Sequence, residues 1–305
     1  MTAIEEKIRT AVALGPTMRR TAAEIDALFE AVLADPQDPR RRLTQAMCHA
    51  AVGGGKRLRP LLVLASANLF GVPRSCAIQA ALAVECVHVH SLIHDDLPCM
   101  DDDDLRRGKP TVHRAFDEAT AVLAGDALLA LAFETLADPA THPSGEVRAE
   151  LVMELARAAG ASGMAGGQML DLIADGEALD MEAITRLQRL KTGALIAWSV
   201  EAGAILGGAS AENRISLRGY AHNLGLAFQI ADDLLDCEGD EAAAGKKLRK
   251  DEAQGKVTFV SLLGAERARR QAEMLVAQAV EHLHGFGERG RLLAAIARFA
   301  ISRDR

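Results

Sequence analysis

The sequence is poor in aromatic residues, which make up only 3% of its 305 residues and include one tryptophan and one tyrosine. Proteins that bind single-stranded nucleic acid stack the bases on aromatic side chains, and this chain has almost no material for such a platform. Its net charge of −7 also opposes attraction to a polyanion. We therefore expect no nucleic acid partner.

The cysteines are five in number and scattered, and no two of them are spaced as C-x-x-C. This pattern argues against a disulfide framework and against a structural zinc site. Long apolar runs are also lacking, since the longest uncharged stretches, 60–73 and 158–170, fall short of the roughly 20 residues that span a bilayer. The first ten residues mix acids and bases, unlike a secretory signal. We expect no transmembrane segment and a cytoplasmic location.

Alternating Val, Ile and Thr runs between turn pairs are missing, which argues against sheets of any size. Apolar residues instead recur at spacings of three and four, as at Ile4, Ile8 and Val12, and this spacing predicts α-helices. Glycine and proline breakers divide the chain into about ten or more of them. No linker separates two halves, so 1–305 is predicted to be one all-α bundle domain, with the apolar segments 119–137 and 193–207 buried in its middle.

Aspartate is concentrated between positions 95 and 104, where six of ten residues are Asp. A solvated acidic turn at the end of a helix would explain one such cluster. On a regular helix Asp95 and Asp101 would point about 120° apart. Pro98 cannot continue the helical ladder, so the chain can turn and bring Asp101 back toward Asp95.

A second acidic cluster, Asp232, Asp233 and Asp236, follows another apolar stretch. Asp232 and Asp236 lie about 40° apart on a helix, so both carboxylates face one way. Two carboxylate groups at the ends of apolar helices are costly unless a hard cation compensates them. Magnesium takes one or two carboxylates and completes its octahedron with water and substrate phosphates, so the pattern indicates a magnesium and phosphate site.

Basic residues accompany both acidic clusters. GGGKRLRP, at 53–60, puts Lys56 and Arg59 three residues apart near a helix start, where backbone N–H groups also favour anions. The block is not a P-loop, because the required first glycine and the final hydroxyl are absent. Arg106 and Arg107 follow the first cluster and Lys246 follows the second, as phosphate recognition requires.

Taken in order, these motifs resemble those of the trans-isoprenyl diphosphate synthases. HDDLPCMDDDDLRRGKPTVH (94–113) is similar to their first aspartate-rich motif and FQIADDLLD (228–236) to the second. Further family blocks match GGKRLRP (54–60), the Lys-Thr-Gly triplet at 191–193, and GKVT (255–258). The resemblance covers essentially the whole chain and is closest to the bacterial short-chain members, the farnesyl diphosphate synthases.

The resemblance implies a function and a set of site residues. The enzyme would condense isopentenyl diphosphate with an allylic diphosphate, using about three magnesium ions per site and acting as a homodimer. The metal ligands would be Asp95, Asp101 and Asp232, with Asp96, Asp233 and Asp236 as further ligands or supporting partners. The allylic diphosphate would be bound by Arg106 and Lys246, and the developing positive charge stabilised by Lys191, Thr192 and Gln229, which also border that substrate. Isopentenyl diphosphate would bind at Lys56, Arg59, His88 and Arg107.

Product length is expected to depend on His90, five residues before Asp95 and therefore about 7.5 Å deeper along the helix. Farnesyl synthases of this type have an aromatic residue there, and histidine is smaller, so a fifteen-carbon product is favoured and a twenty-carbon product stays open. The alternatives are a geranylgeranyl diphosphate synthase, a terpene cyclase, a non-catalytic regulatory subunit, and an HD-type phosphohydrolase built on His94 and Asp95. Met153, Met164 and Met169 are expected to fill the core rather than a site.

Overall fold

In the computed structural model, residues 3–34, 37, 39–174, 179–238 and 257–302 are described. Fourteen α-helices lie in these ranges. The first seven are α1 (Ala3–Val32), α2 (Arg41–Ala51), α3 (Leu58–Leu69), α4 (Arg74–Asp95), α5 (Val112–Ala115), α6 (Glu118–Ala137) and α7 (Gly145–Ala159). The others are α8 (Met164–Ile173), α9 (Met181–Gln188), α10 (Ala194–Leu206), α11 (Ala211–Glu238), α12 (Phe259–Leu263), α13 (Ala265–Glu281) and α14 (Arg291–Ser302).

The predicted all-α class is confirmed, and the described part of the chain departs from it in one short hairpin. Strands β1 (Leu105–Arg106) and β2 (Lys109–Pro110) pair antiparallel just after the first acidic cluster. The two residues between them, Arg107 and Gly108, both have positive φ, as a type I′ turn requires. The hairpin lies next to the site described below.

Two hydrophobic cores organise the bundle, and α3 contributes to both. Val63 and Ala67 of α3 pack into the core that contains α4 and α6, whereas Leu62 and Ala65 pack into the core around α10, α11, α13 and α14. α10 can approach α3 closely because a Cβ on Gly203 would lie 2.2 Å from the Ala67 nitrogen. A helix buried on two sides fixes the position of the loop that precedes it, which carries the basic block.

α6 differs from its prediction. Its apolar composition predicted burial all round, but one face is open, with Val122 40% and Leu123 57% exposed. By length and composition α4 and α6 could each cross a membrane, a test that buried helices of water-soluble proteins also pass. Of the two apolar windows, 61% is buried in α4 and 39% in α6. Sequence periodicity could not separate a fully buried helix from one with an uncovered apolar face.

Candidate active site

The first acidic cluster begins where α4 ends. The helix stops at Asp95, and the predicted turn through Pro98 is present. The backbone N–H of Asp101 donates to the carbonyl oxygen of Asp95 at 2.9 Å, so the turn returns the chain to the helix end. The turn therefore removes the separation that a straight helix would impose on these two aspartates.

The second cluster lies on α11, and one of its members, Asp232, lines a cavity together with Asp95 of the first cluster. Asp95 and Asp232 both line a space of about 530 Å³, which we call the carboxylate cavity. Asp236 is half-buried one helical turn beyond Asp232. Among the described residues no three His, Cys, Asp or Glu side chains form a ready-made metal cluster. A cation here would therefore draw part of its coordination from a bound phosphate or from water.

Asp96 and Asp233, the chain neighbours of Asp95 and Asp232, are buried, at 4% and 5% exposure. Asp96 accepts a hydrogen bond from Arg106 Nε at 2.9 Å, and Asp103 accepts one from Arg106 Nη2 at 3.2 Å. Asp233 accepts from Gln229 Nε2 and from the Phe259 backbone N–H, both at 2.9 Å. Of the two roles left open for these aspartates, the geometry favours that of supporting partners. Arg106, expected to bind the allylic diphosphate, is held by carboxylates in this structure.

A π-helical turn, Arg189–Gly193, forms the opposite wall between α9 and α10. Lys191 and Thr192 line the carboxylate cavity from it. Thr192 Oγ1 donates to Gln229 Oε1 at 3.1 Å, which links the turn to α11. The turn packs closely on α8, because a Cβ on Gly167 would lie 2.1 Å from the Lys191 nitrogen. Such π turns occur often at functional sites, since they interrupt the regular helical direction of the side chains.

Two polar residues of α8 were missed by the sequence reasoning. Lys191 Nζ lies 2.6 Å from Asp171 Oδ2, and Gln168 lines the cavity with a buried Nε2 that has no hydrogen-bond partner among the described atoms. Their spacing of three on an apolar helix was the available signal. The core expectation holds for Met164, which is 9% exposed and belongs to a hydrophobic core although it also lines the cavity. It was wrong for Met153 and Met169, which are 44% and 57% exposed.

The negative charge of Asp95 is not fully compensated by its surroundings. Burial raises the pKa of Asp95 to about 6; the Lys191 charge lowers it and the Asp101 charge raises it again. The nearby ammonium therefore does not offset the desolvation of this carboxylate. A divalent cation would relieve the remaining charge.

A second cavity, of about 270 Å³, contains basic side chains, and we call it the basic pocket. The four residues predicted for isopentenyl diphosphate all line it: Lys56, Arg59, His88 and Arg107. Phe299 of α14 closes one side, and the Lys56 ammonium lies 5.4 Å from its ring centre. Arg59, His88 and Phe228 line both cavities, so the two spaces adjoin.

His88 is neutral in this setting. Burial lowers its pKa well below the ordinary value, and the charges of Arg59 and Arg107 lower it further. A neutral imidazole can donate one hydrogen bond without adding to the repulsion among the arginines.

His90 lines the carboxylate cavity below Asp95. Its ring meets that of His94 edge-on, with centroids 4.5 Å apart. Burial lowers the pKa of His90 to about 4, and the charge of His94 acts in the same direction. His90 therefore presents a neutral ring to the cavity. Lys246 falls in 239–256, outside the described residues.

This all-α bundle, in which a carboxylate cavity adjoins a basic pocket, has the side chains to bind anionic ligands side by side. The chain belongs to the polyprenyl synthetase family, whose sequence model matches residues 40–295. It is therefore a prenyltransferase of isoprenoid biosynthesis.

Individual relatives agree with this assignment. The chain is 46% identical to farnesyl diphosphate synthase of Escherichia coli (strain K12), over 86% of this chain and 90% of that protein. It is 44% identical to a chloroplastic geranylgeranyl pyrophosphate synthase of Catharanthus roseus, over 91% of this chain and 78% of that protein.

Two solved structures are similar. One is the apo structure of an FPP/GFPP synthase from Zymomonas mobilis, with TM-score 0.89 and 54% identity over 95% of this chain and 99% of that one. The other is geranyltransferase from Helicobacter pylori complexed with magnesium and isoprenyl diphosphate, with TM-score 0.78 and 34% identity over 92% and 95%.

Proposed function

We propose that this chain is a farnesyl diphosphate synthase, a single domain over 1–305 that condenses isopentenyl diphosphate with dimethylallyl and geranyl diphosphate. The observation that carries the proposal is the junction of the two cavities at Arg59, His88 and Phe228. It lets two diphosphates bind in separate sites while their hydrocarbon ends meet. A cyclase, which acts on one diphosphate, has no use for the basic pocket.

Magnesium fits the carboxylate cavity by the chemistry of its donors. Asp95 and Asp232 line it, and the raised pKa of Asp95 marks a negative charge without full compensation. Asp101 and Asp236 are close along the chain to these two. About three ions per site are proposed, with the allylic diphosphate completing their coordination. When bound, magnesium supplies the Lewis acidity that stabilises the departing diphosphate.

The condensation step changes bonds in the two substrates, and residues of the chain orient the groups and stabilise the charges. The carbon–oxygen bond of the allylic diphosphate breaks with its electron pair leaving on the diphosphate, and the isopentenyl double bond forms the new carbon–carbon bond. Thr192 gives its hydroxyl hydrogen to Gln229, so its oxygen can present lone pairs to the developing cation. The diphosphate that has left takes the final proton. Arg106 and Lys246 are proposed to bind this diphosphate, with Arg106 positioned by Asp96.

The product is proposed to have fifteen carbons, with His90 as the residue that stops further elongation. Its ring belongs to the cavity wall and not to the helix packing alone, which supports a role as the floor. The geranylgeranyl alternative is not better supported, because relatives with both names match at similar identity.

The phosphohydrolase alternative lacks its histidine cluster. His94 Nε2 contacts the Val122 carbonyl oxygen at 3.1 Å, and the described residues hold no group of three metal-binding side chains around it. A regulatory subunit is disfavoured because both aspartate clusters are intact and each contributes a residue, Asp95 or Asp232, to the cavity wall.

The proposal includes a cytoplasmic homodimer. The open apolar face of α6, with Val122 and Leu123, is suited to burial against a second copy. Sedimentation velocity should give a dimer, and Leu123→Glu should shift it toward monomer. Ile215→Glu, on the similarly exposed Ile215 of α11, is the matched control. A monomeric wild type would contradict this part alone.

One incubation tests the activity itself. The protein is given isopentenyl diphosphate, one allylic diphosphate and magnesium, and the products are sized by chromatography. A fifteen-carbon diphosphate is expected from dimethylallyl or geranyl diphosphate. Release of phosphate or of a cyclic hydrocarbon without condensation would refute the proposal.

A further inference from the structure

Arg57 is itself among the residues lining the basic pocket, and its guanidinium is completely buried, at 0% side-chain exposure. Its Nη1 donates to Glu85 Oε1 at 2.7 Å and its Nη2 to Asp26 Oδ1 at 2.5 Å. A further bond runs from Nη2 to the Ala51 carbonyl oxygen. The side chain thus joins α1, α4 and the end of α2. We call Arg57, Glu85 and Asp26 the arginine anchor.

The backbone at Arg57 is unusual for a residue with a side chain. It has φ 48° and ψ 42°, in the left-handed region, directly before α3. Non-glycine residues adopt this conformation rarely and need tertiary contacts to hold them there. Asp26 supplies a second tie, since it also accepts a hydrogen bond from the Gly53 backbone N–H at 3.3 Å. The loop is therefore fixed with Arg57 inward and with Lys56 lining the pocket.

Glu85 is the only carboxylate among the residues lining the basic pocket in the described chain. It is 1% exposed and lies on α4, one helical turn before His88. Arg107 lies close enough for its pKa to respond to the charges of all three members of the anchor. Its pKa is lowered by desolvation first, then raised by the Glu85 charge and lowered by the Arg57 charge.

The Arg107 side chain can lie against the backbone because the residues opposite it, Gly54 and Gly55, have no side chain. An added Cβ on Gly55 would lie 2.5 Å from Arg107 Nη2, and one on Gly54 would lie 3.0 Å from Arg107 Cδ. The guanidinium thus rests on bare backbone at the pocket wall. Any unpaired acidic group beside it would form an ion pair with it.

We propose that Arg57 is a positioning residue of the basic pocket: it pairs with Glu85 and so keeps that carboxylate from competing with isopentenyl diphosphate for Arg107. The inference rests on the proposed function, because it assumes that this pocket takes isopentenyl diphosphate. With Arg57 present, the charge of Glu85 is satisfied inside the protein. Without it, a buried carboxylate would pair with Arg107 and repel the incoming diphosphate.

A double-mutant cycle of Arg57→Met and Glu85→Gln tests the proposal. Arg57→Met should raise the KM for isopentenyl diphosphate by at least about tenfold and leave the KM for geranyl diphosphate within about twofold. Arg57→Met combined with Glu85→Gln should recover most of that loss, because the competing charge is gone. Calorimetric titration of isopentenyl diphosphate without metal should follow the same order.

Arg214→Met is the matched control. Arg214 pairs with Glu150 at 2.7 Å and with Glu201 at 2.9 Å, away from either cavity, so its loss should lower the melting temperature and leave both KM values unchanged. If Arg57→Met acts only on folding, it will lower the melting temperature and leave both KM values unchanged, as Arg214→Met does. Equal rises in both KM values, or no recovery with Glu85→Gln, would also overturn the proposal.

Two further measurements distinguish a failure of the inference about Arg57 from a failure of the proposed function. If Arg57→Met does not fold, Glu85→Gln alone still decides, because removal of a competitor should leave the isopentenyl KM unchanged or lower. A rise of about tenfold in that variant would overturn the inference. A wild type that binds isopentenyl diphosphate but forms no longer product would refute the proposed function, while the calorimetric cycle would still test the anchor.

Discussion

The carboxylate cavity and the basic pocket adjoin, yet they handle crowded like charges in opposite ways. In the first, burial raises the pKa of Asp95 to about 6, and Lys191 does not fully compensate it. In the second, the cations have a neutral His88 and the buried Glu85 beside them. The carboxylate cavity needs a cation from solution, whereas the basic pocket has an acidic side chain within the protein. This difference agrees with the proposal that the allylic diphosphate depends on metal and isopentenyl diphosphate binds without it.

The largest expected effect is on the metal side. Asp95→Ala, Asp101→Ala and Asp232→Ala should each lower kcat by about a thousandfold or more, or roughly 4 kcal/mol, because the cation loses a carboxylate. Steady-state condensation rates at saturating magnesium measure this. Asp104→Ala is the control, since this carboxylate is 70% exposed and pairs with Arg114. Near-normal turnover in any of the three would remove that residue from the metal site.

The next effect should be confined to the basic pocket. Lys56→Met and Arg59→Met should raise the KM for isopentenyl diphosphate by about tenfold or more, with a smaller change for the allylic substrate. Each replacement removes a positively charged side chain from the basic pocket, where no metal ion is proposed that could take over its role. Initial rates with one substrate varied at a time separate the two constants. Equal losses for both substrates would show that the division between the cavities is too sharp.

Replacement of His90, the proposed floor of the carboxylate cavity, should leave the charged residues of both cavities intact. His90→Ala should lengthen the product by about one five-carbon unit, and His90→Tyr should hold or shorten it, with both KM values within about twofold of wild type. The reason is steric, since the neutral ring of His90 occupies the cavity below Asp95. Chromatography of the products gives the lengths. His142→Ala, in the loop before α7, is the control, and an unchanged distribution in both His90 variants would remove His90 as the floor.

The smallest expected effect is on the KM for isopentenyl diphosphate when His88 is replaced. His88→Gln should raise the isopentenyl KM by only about threefold, because the amide can still donate a hydrogen bond. The ratio of variant to wild-type KM should stay constant from pH 6 to pH 8. The pKa of His88 is lowered well below its usual value, so the imidazole is already neutral across this range and gains no charge on acidification. A ratio that grows toward pH 6 would mean that a protonated His88 binds the diphosphate.

Local sequence signals located much of the site. The turn at Pro98 and the helical spacing of Asp232 and Asp236 follow from backbone geometry within ten residues. The convergence of Lys56 with His88 rested instead on the family resemblance, since the two are 32 positions apart. The all-α class followed from periodicity alone.

Other features had no local signal. Arg57 and Glu85 are 28 residues apart, and Lys191 and Asp171 are 20 apart, so their pairing depends on helix packing that no spacing rule predicts. Their types and positions were ordinary for solvated charges. The open face of α6 was missed for a different reason, because composition cannot tell whether an apolar face is covered by the same chain.

The π turn has a consequence for insertions and deletions. A regular α-helix carries one residue fewer per such turn, so deleting a single residue within 189–193 would let α9 and α10 join as a continuous helix. Every side chain on one side of the deletion would then rotate by about 100° relative to the other. The buried α10 could keep its packing while Lys191 turned away from Asp171. The deletion would also turn the buried Ile184 and Leu187 of α9 out of the core. Helical register is therefore constrained at this position together with residue identity.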